Sequence, residues 1–410
     1  MTALAERLDQ LVSRREPAMR ADLARYVAIP TGHNHAPGLD EFRGLVTERC
    51  VALGAQVRMV PGKPRPDWLY SEPGSAGGTG GGADRGIPAA AVCTRTREGL
   101  PRLLLASHLD TVFDPRGPFQ AMLVSSDGCR AVGPGVVDMK GGIVIALHAL
   151  EALEEAGVPV GWTYFFNSDE ETGSYHSAAA LADESKRNDW GLATEPALPD
   201  GSLAIERKGS GQFIVEAFGR SAHAGRDFEK GVSAVYGLAR ALNSVEALTD
   251  LSCGVTVNIG PIRGGAATNI VPDYAAAWGN VRFPSAAECE RFRIGLEAIN
   301  TPSAEIREGI ARIRVRHSLN RPAKPKTPRS ERLGLIARET AEAIGQTLPF
   351  ASTGGVCDGN IMQDAGLPTI DSLGVRGGGL HTHAEWIDLS SLVDRCRLLA
   401  HLMVRLSARP

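Results

Sequence analysis

No stretch of this 410-residue chain is an uninterrupted apolar run of the roughly 20 residues that a membrane-spanning helix needs. Nor does the N-terminus, MTALAERLDQLVSRREPAMRADLARYVAIP, show the apolar centre and small-residue cleavage site of a secretory leader. Its acids and bases recur at helical spacing, so a structural helix is expected there. An excess of one charge is missing too. The 44 basic residues face 47 acidic ones, for a net charge of -3, which gives no electrostatic ground for nucleic acid or membrane as a partner. Cysteine is sparse: seven residues, an odd number, widely scattered and without a Cys-x-x-Cys pair. A reduced, cytoplasmic compartment fits that usage. No internal repeat is found. Glycine is plentiful in SEPGSAGGTGGGADRGIPAAA, but no helix opening on Lys-Ser/Thr follows, so a surface loop is expected there and not a phosphate cradle.

The length exceeds what one hydrophobic core usually serves, and two domains are expected. Short apolar runs alternate with helical patterns, as in an α/β layer built on a mostly parallel sheet flanked by helices. RLLLASHLD, GWTYFFNSDEE, WGLATEP and LPTIDSLGVRGGGLH each read as a buried strand that stops at a polar residue. Between the second and the first of these, DMKGGIVIALHALEALEEAG places Ile143, Ala146, Leu147, Leu150 and Leu153 on one helical stripe, ended by Gly157. From Glu206 to His317 the pattern becomes βαββαβ, the split-βαβ order of a ferredoxin-like α+β unit. The expected division is therefore a discontinuous catalytic domain, 1–205 with 319–410, and an inserted domain, 206–318. The prolines and bases of NRPAKPKTPRS suit a hinge between them.

In open α/β sheets, ligands gather at the carboxyl ends of strands. Here those ends deliver His108 in SHLD, Glu170 and Glu171 in SDEE, Glu195 in ATEP and His381 after VRGGG, with Asp138 at the start of the helix. Nitrogen and carboxylate ligands without thiolate suit catalytic zinc, with cobalt or manganese as substitutes. A carboxylate that bridges two ions supplies one oxygen to each. Asp110, two residues after His108, is placed to accept the other imidazole N–H. Asp169 reads only as a capping or loop residue.

Taken together, SHLDTVF, GPGVVDMKGG, SDEETGS, ATEP, GRSAHAG, GGAATNIVPD and GGGLHTHAEW resemble the ordered motifs of the two-zinc peptidase superfamily. That group includes glutamate carboxypeptidase, acetylornithine deacetylase, succinyl-diaminopimelate desuccinylase and the aminoacylases, and the chain most resembles its bacterial glutamate carboxypeptidase branch. The resemblance implies that Asp138 bridges two divalent ions, with His108 and Glu195 on one and Glu171 and His381 on the other. It makes Glu170 the general base for water activated between the ions. A cis peptide is implied after Asp138, where Met139 replaces a second acid common in the family. LHTHAEW offers two histidines. The commonest family spacing, four residues before a Glu followed by an aromatic, selects His381, and another spacing would select His383.

The same resemblance brings His223 and Asn269 from the inserted lid domain to an active site, the histidine commonly to that of a partner subunit. A homodimer is the implied assembly. For the substrate's free carboxylate the candidates are Arg282, Arg376 and the backbone N–H groups around Gly378, with Lys208 weaker. The implied reaction is metal-dependent hydrolysis of an amide to an amino acid with a free carboxylate: an N-acyl amino acid, a dipeptide or a folate-like conjugate. A deacetylase or desuccinylase, a carbamoyl or ureido amidohydrolase, a two-metal phosphoesterase and an inactive metal-holding scaffold are the rival readings.

Overall fold

The computed structural model describes residues 3–32, 35–70, 89–301 and 309–408. A six-stranded sheet forms the centre, in the order Gln56–Val60, Ala90–Arg95, Gly161–Asn167, Arg102–His108, Trp190–Ala193 and Thr369–Ile370. Its last four strands are mutually parallel, and the first two add an antiparallel edge. Such strands bury both faces, which explains why their sequences are continuously apolar. Leu103, Leu105, Trp162, Tyr164 and Phe166 face one layer, while Leu104, Ala106 and Phe165 face the other. The first layer holds the helices Lys140–Glu155 and Ser391–Ser407, and the second holds Ala178–Ser185 and Asp358–Asp364.

Four differences from the sequence expectations have local causes. The N-terminal segment is two helices, Ala3–Ser13 and Glu16–Val27, because Pro17 starts a new helix in its first turn. LPTIDSLGVRGGGLH is not one strand. Thr369–Ile370 ends the central sheet, whereas Gly377–Gly378 pairs with Trp386–Asp388 in a separate sheet of four short strands. The helix Lys140–Glu155 has no solvent-facing side over its first three turns. Every residue from Lys140 to Leu150 is buried, since the helix lies between the sheet and its neighbours. The stretch expected as a hinge is pinned: Lys324 is fully buried and donates to Ala204 O at 3.0 Å, with Asp371 at 3.1 Å. The glycine-rich segment expected as a surface loop lies, over 71–88, outside the described residues.

The βαββαβ stretch folds as a four-stranded antiparallel sheet in the order Thr256–Gly264, Tyr274–Phe283, Gly209–Phe218 and Arg312–Arg321. The helices Ala234–Glu246 and Ala286–Glu297 accompany it, capped by the hydroxyls of Ser233 and Ser285. Phe213, Val215, Leu238, Val281, Phe283 and Leu296 belong to a hydrophobic cluster of its own. The chain enters and leaves this sheet at adjacent points, where Arg207 and Lys324 pair backbone to backbone and share Asp371.

The start of the helix Lys140–Glu155 passes so close to the end of the strand Trp190–Ala193 that a Cβ on Gly142 would lie 2.1 Å from the O of Thr194, the next residue. Gly142→Ala should therefore push helix and strand apart and destabilise the protein by about 2–3 kcal/mol, as overpacked cores do. Urea unfolding of the variant against the parent measures this.

Candidate metal centre

Three parallel strands end side by side and supply the centre. His108 closes the first, Asn167 closes the second just before the three acids, and Ala193 closes the third two residues before Glu195. Asp138 enters from the loop before the helix Lys140–Glu155, joined to Met139 by a cis peptide. His381 arrives on the turn after Gly377–Gly378, with a left-handed backbone at φ 62°.

The two oxygens of Asp138 face different histidines. Oδ1 is 3.1 Å from His108 Nε2, and Oδ2 is 3.6 Å from His381 Nε2. Glu195 Oε2 lies 4.0 Å from the first histidine nitrogen, and Glu171 Oε2 lies 3.2 Å from the second. Ligand atoms bound tetrahedrally to a common ion at about 2.0–2.1 Å stand about 3.3 Å apart, which the 3.1, 3.2 and 3.6 Å separations approach, while Glu195 at 4.0 Å stands wider. His108, Asp138 and Glu171 also offer ligand atoms all within 4.8 Å of one another. The donors thus fit divalent metal, with Asp138 turned toward both histidines.

Electrostatics point the same way. Burial, then the charge of Asp138, pushes Glu171 up to about 8. Burial also drives Glu195 well above the usual carboxylate range against the pull of His108. At Asp138 burial opposes ionisation, but hydrogen bonds from His108 and His381 outweigh it and hold the carboxyl below its ordinary value. Hydrogen bonds to Asp138 and Glu171 raise His381 to about 10. A cluster that takes up protons this readily is short of positive charge, which metal ions would supply.

Neighbouring groups orient the ligands. His108 Nδ1 donates to the backbone carbonyl of Asp110 at 2.9 Å, closer than the Asp110 carboxylate at 3.5 Å. That carboxylate instead accepts the backbone N–H groups of Glu170 and Glu171, at 3.2 and 2.9 Å. Asn167 Oδ1 accepts from Asp169 and Glu170, which turns the chain out of the strand so that both glutamates face inward. Asp169 closes the loop behind them, accepting from His176 N at 2.6 Å and Ser177 Oγ at 2.5 Å. Buried Met139 offers its sulfur to His108 N.

Two residues that sequence reasoning passed over stand close to the centre. Glu385 is buried and accepts three backbone N–H groups, from Gly135, Val137 and Asp138, at 3.1, 2.9 and 3.0 Å. It therefore ties the loop of His381 to the loop of Asp138. Its only sequence signal was its place four residues after His381. Arg321 is buried, with Nη2 2.7 Å from Glu170 Oε1, and Asp358 lies 3.6 Å from its Nη1. It had been read as part of a hinge.

Beside the acids opens a cavity of about 450 Å³, lined in part by Glu170, Glu171, Arg282, Arg321 and His381. Among the described residues, the buried guanidinium atoms Arg282 Nη1 and Arg321 Nε and Nη1 have no hydrogen-bond partner, Arg321 Nη1 facing Asp358 only at 3.6 Å. Burial and the neighbouring Arg321 depress the pKa of Arg282. The other candidates are not brought to this cavity. Arg376 is committed to Asp388 and Asp394, both at 2.9 Å, and Gly378 pairs with Trp386. Lys208 donates to Gly254 O. His383 stacks on Phe119 with ring centroids 5.1 Å apart, a loop packing role. His223 and Asn269 lie together on an exposed two-stranded ribbon, where Ala224 N donates to Asn269 O.

Residues 104–405 match peptidase family M20/M25/M40. The chain is 29% identical to carboxypeptidase G2 of Pseudomonas sp. strain RS-16, over 99% of this chain and 94% of that protein. It is 26% identical to succinyl-diaminopimelate desuccinylase 2 of Shewanella loihica, over 73% of this chain and 80% of that one. Among solved structures it shares its fold with a tripeptidase from Staphylococcus aureus, at TM-score 0.75 and 23% identity, covering 96% of this chain and 99% of that one.

Both protonation and support can be tested. The Glu171 carboxyl titrates near 8 in the folded metal-free chain against 4.5 ordinarily, so the folded state binds more protons across that window and stability falls as pH rises through it. His381, raised from 6.5 to about 10, adds a loss in the same direction above 6.5. Chelator-treated protein should accordingly be less stable near pH 8.5 than near pH 6, and added zinc should stabilise it most at the higher pH; urea titrations with and without zinc read both. Glu385→Gln sets an amide NH2 against a backbone N–H, and should weaken metal affinity about 10- to 100-fold. Competition with a chromogenic chelator measures that loss.

Proposed function

Because the chain belongs to peptidase family M20/M25/M40, we propose that it is a two-metal amide hydrolase acting on small substrates that end in an amino acid with a free carboxylate, in the manner of a carboxypeptidase or N-acyl amino acid amidohydrolase. The observation that carries this reading is the bridging posture of Asp138, one oxygen toward His108 and the other toward His381. Asp138, His108 and Glu195 would hold one ion, and Asp138, Glu171 and His381 the other, with zinc the best match to the donors and cobalt or manganese as substitutes. Bound there, the ions supply Lewis acidity and lower the pKa of water.

The chain's own residues account for the rest. Glu170 sits beside the ligands on the cavity wall and takes the proton of the attacking water, then returns it to the leaving nitrogen. Arg321 orients that carboxylate through the 2.7 Å contact, and Asp110 fixes its backbone. Arg282, with Arg321, clamps the substrate's carboxylate, using Arg282 Nη1 and Arg321 Nε, which make no hydrogen bond among the described residues. His223 and Asn269 stay outside their own cavity and are exposed, which suits contribution to a second copy's site in a homodimer. Exposed Tyr236, Ile262 and Ile270 on the same unit offer apolar surface for that contact. The seven cysteines are unpaired, as a cytoplasmic enzyme would have them.

The test is a panel of N-benzoyl, N-acetyl, N-succinyl and N-carbamoyl amino acids and dipeptides with zinc-loaded protein; release of no amino acid from any of them sinks the proposal. Preference for the acetyl or succinyl members would mark the deacetylase or desuccinylase reading, which the Shewanella relative favours. Glu170→Gln should cut kcat by about 10²- to 10⁴-fold while the zinc content stays at the parent's value. Turnover within twofold of the parent would remove Glu170 as the base.

A further inference from the structure

The short stretch GKPRPDWLY crosses from the metal-bearing half to the four-stranded sheet, and its residues Lys63 to Tyr70 are held at both ends. At one end Lys63 N donates to His176 O at 3.1 Å and His176 Nδ1 donates to Lys63 O, so the stretch is fastened to the loop that carries Glu170 and Glu171. At the other, the indole N–H of Trp278 donates to Trp68 O at 2.7 Å. Trp278 belongs to the strand Tyr274–Phe283 and also meets Tyr70 edge to face, with centroids 5.6 Å apart. The guanidinium of Arg263 lies 5.5 Å from both of those rings, and that of Arg316 lies 6.0 Å from Trp68. Two prolines, Pro64 and Pro66, restrict the backbone between the anchors, which lowers the entropy lost in holding it.

Between these anchors Arg65, Leu69 and Tyr70 line the cavity. Leu69 is buried, and with Tyr70 and Tyr175 it supplies an apolar part of the lining of a cavity that also holds several charged side chains. We propose that Lys63–Tyr70 is a strap that sets acyl-group specificity, and that Trp278 is the positioning residue that holds it in place. The inference rests on the amide-hydrolase reading. With the carboxylate taken by Arg282 and Arg321, that apolar lining is left for the acyl part of the substrate. Trp278 is not among the residues lining the cavity, so it acts only through the strap.

N-benzoyl-L-glutamate and N-acetyl-L-glutamate, assayed with the zinc-loaded full chain, provide the test. Trp278→Phe keeps an aromatic ring and removes the N–H. It should lower the ratio of kcat/KM for the benzoyl over the acetyl substrate by about threefold to tenfold, the size of one hydrogen bond, with the change carried by KM of the benzoyl substrate. Equal losses on both substrates, or an unchanged ratio, would overturn the strap while leaving the hydrolase reading intact. A wild type that cleaves neither of these nor any other amide of the panel above removes both, and one that cleaves only the amides of another amino acid is tested with the benzoyl and acetyl amides of that amino acid. Should Trp278→Phe fail to fold, Leu69→Ala at the wall itself should lower the same ratio, and no change there overturns the proposal equally.

Discussion

Everything around the centre answers to one constraint: several carboxylates are packed where little water reaches them. Asp138, Glu171 and Glu195 converge within a few ångströms, and only two histidines face them from the ligand set. Bringing like charges out of water together costs far more than a fold of ordinary stability can absorb. The raised titration of Glu171 and Glu195 expresses that cost in a chain without cations. Divalent ions held there would change the sign of the interaction and make site and metal one electrostatic unit.

The scaffold meets the constraint with backbone as much as with side chains. Parallel strands deliver their ends in register, so His108 and Asn167 stand side by side. Two carboxylates that are not themselves in the ligand set then fix the loops: Asp110 through the amides of Glu170 and Glu171, and Glu385 through those of Gly135, Val137 and Asp138. Each is a buried acid that accepts backbone N–H groups; at Glu385 burial still pushes the carboxyl up to about 7 against the pull of those donors. Because Glu385 lies four residues from His381, its hydrogen bonds hold together two ligand loops that are some 240 residues apart in the chain.

Residues whose role is local were legible in the sequence. Strand-end acids and histidines could be picked out because apolar runs and the polar residues that stop them are neighbours in the chain. Arg321, Glu385 and Trp278 were not legible, since each gains its meaning from partners more than a hundred residues away. Arg376 shows the converse failure. An arginine in a glycine loop reads as an anion clamp, yet Asp388 and Asp394 supply its counter-charges from 12 and 18 residues away, separations that carry no distinct sequence signal. The buried helix Lys140–Glu155 was read as one-sided because a stripe and a fully apolar face look alike when small residues such as Gly141, Gly142 and Ala149 fill the rest.

Arg321 also joins the two sheets in a way that bears on catalysis. It is the last residue of the strand Arg312–Arg321, so its backbone is fixed by the inserted sheet, whereas Glu170 is fixed by the central one. Their ion pair therefore spans the cavity, and Asp358 and Ser174 hold Arg321 from the central side. Lys324, three residues on, anchors the same crossing through Asp371. The strap from Lys63 to Tyr70 makes a second span, from the acid loop to Trp278. With both spans bordering one cavity, its charged and its apolar lining depend on the same relative placement of the two sheets. On the proposed reading, a small displacement of the four-stranded sheet would at once loosen the partner of Glu170 and the lining assigned to the acyl group. Chemistry and substrate selection thus share a single mechanical reference.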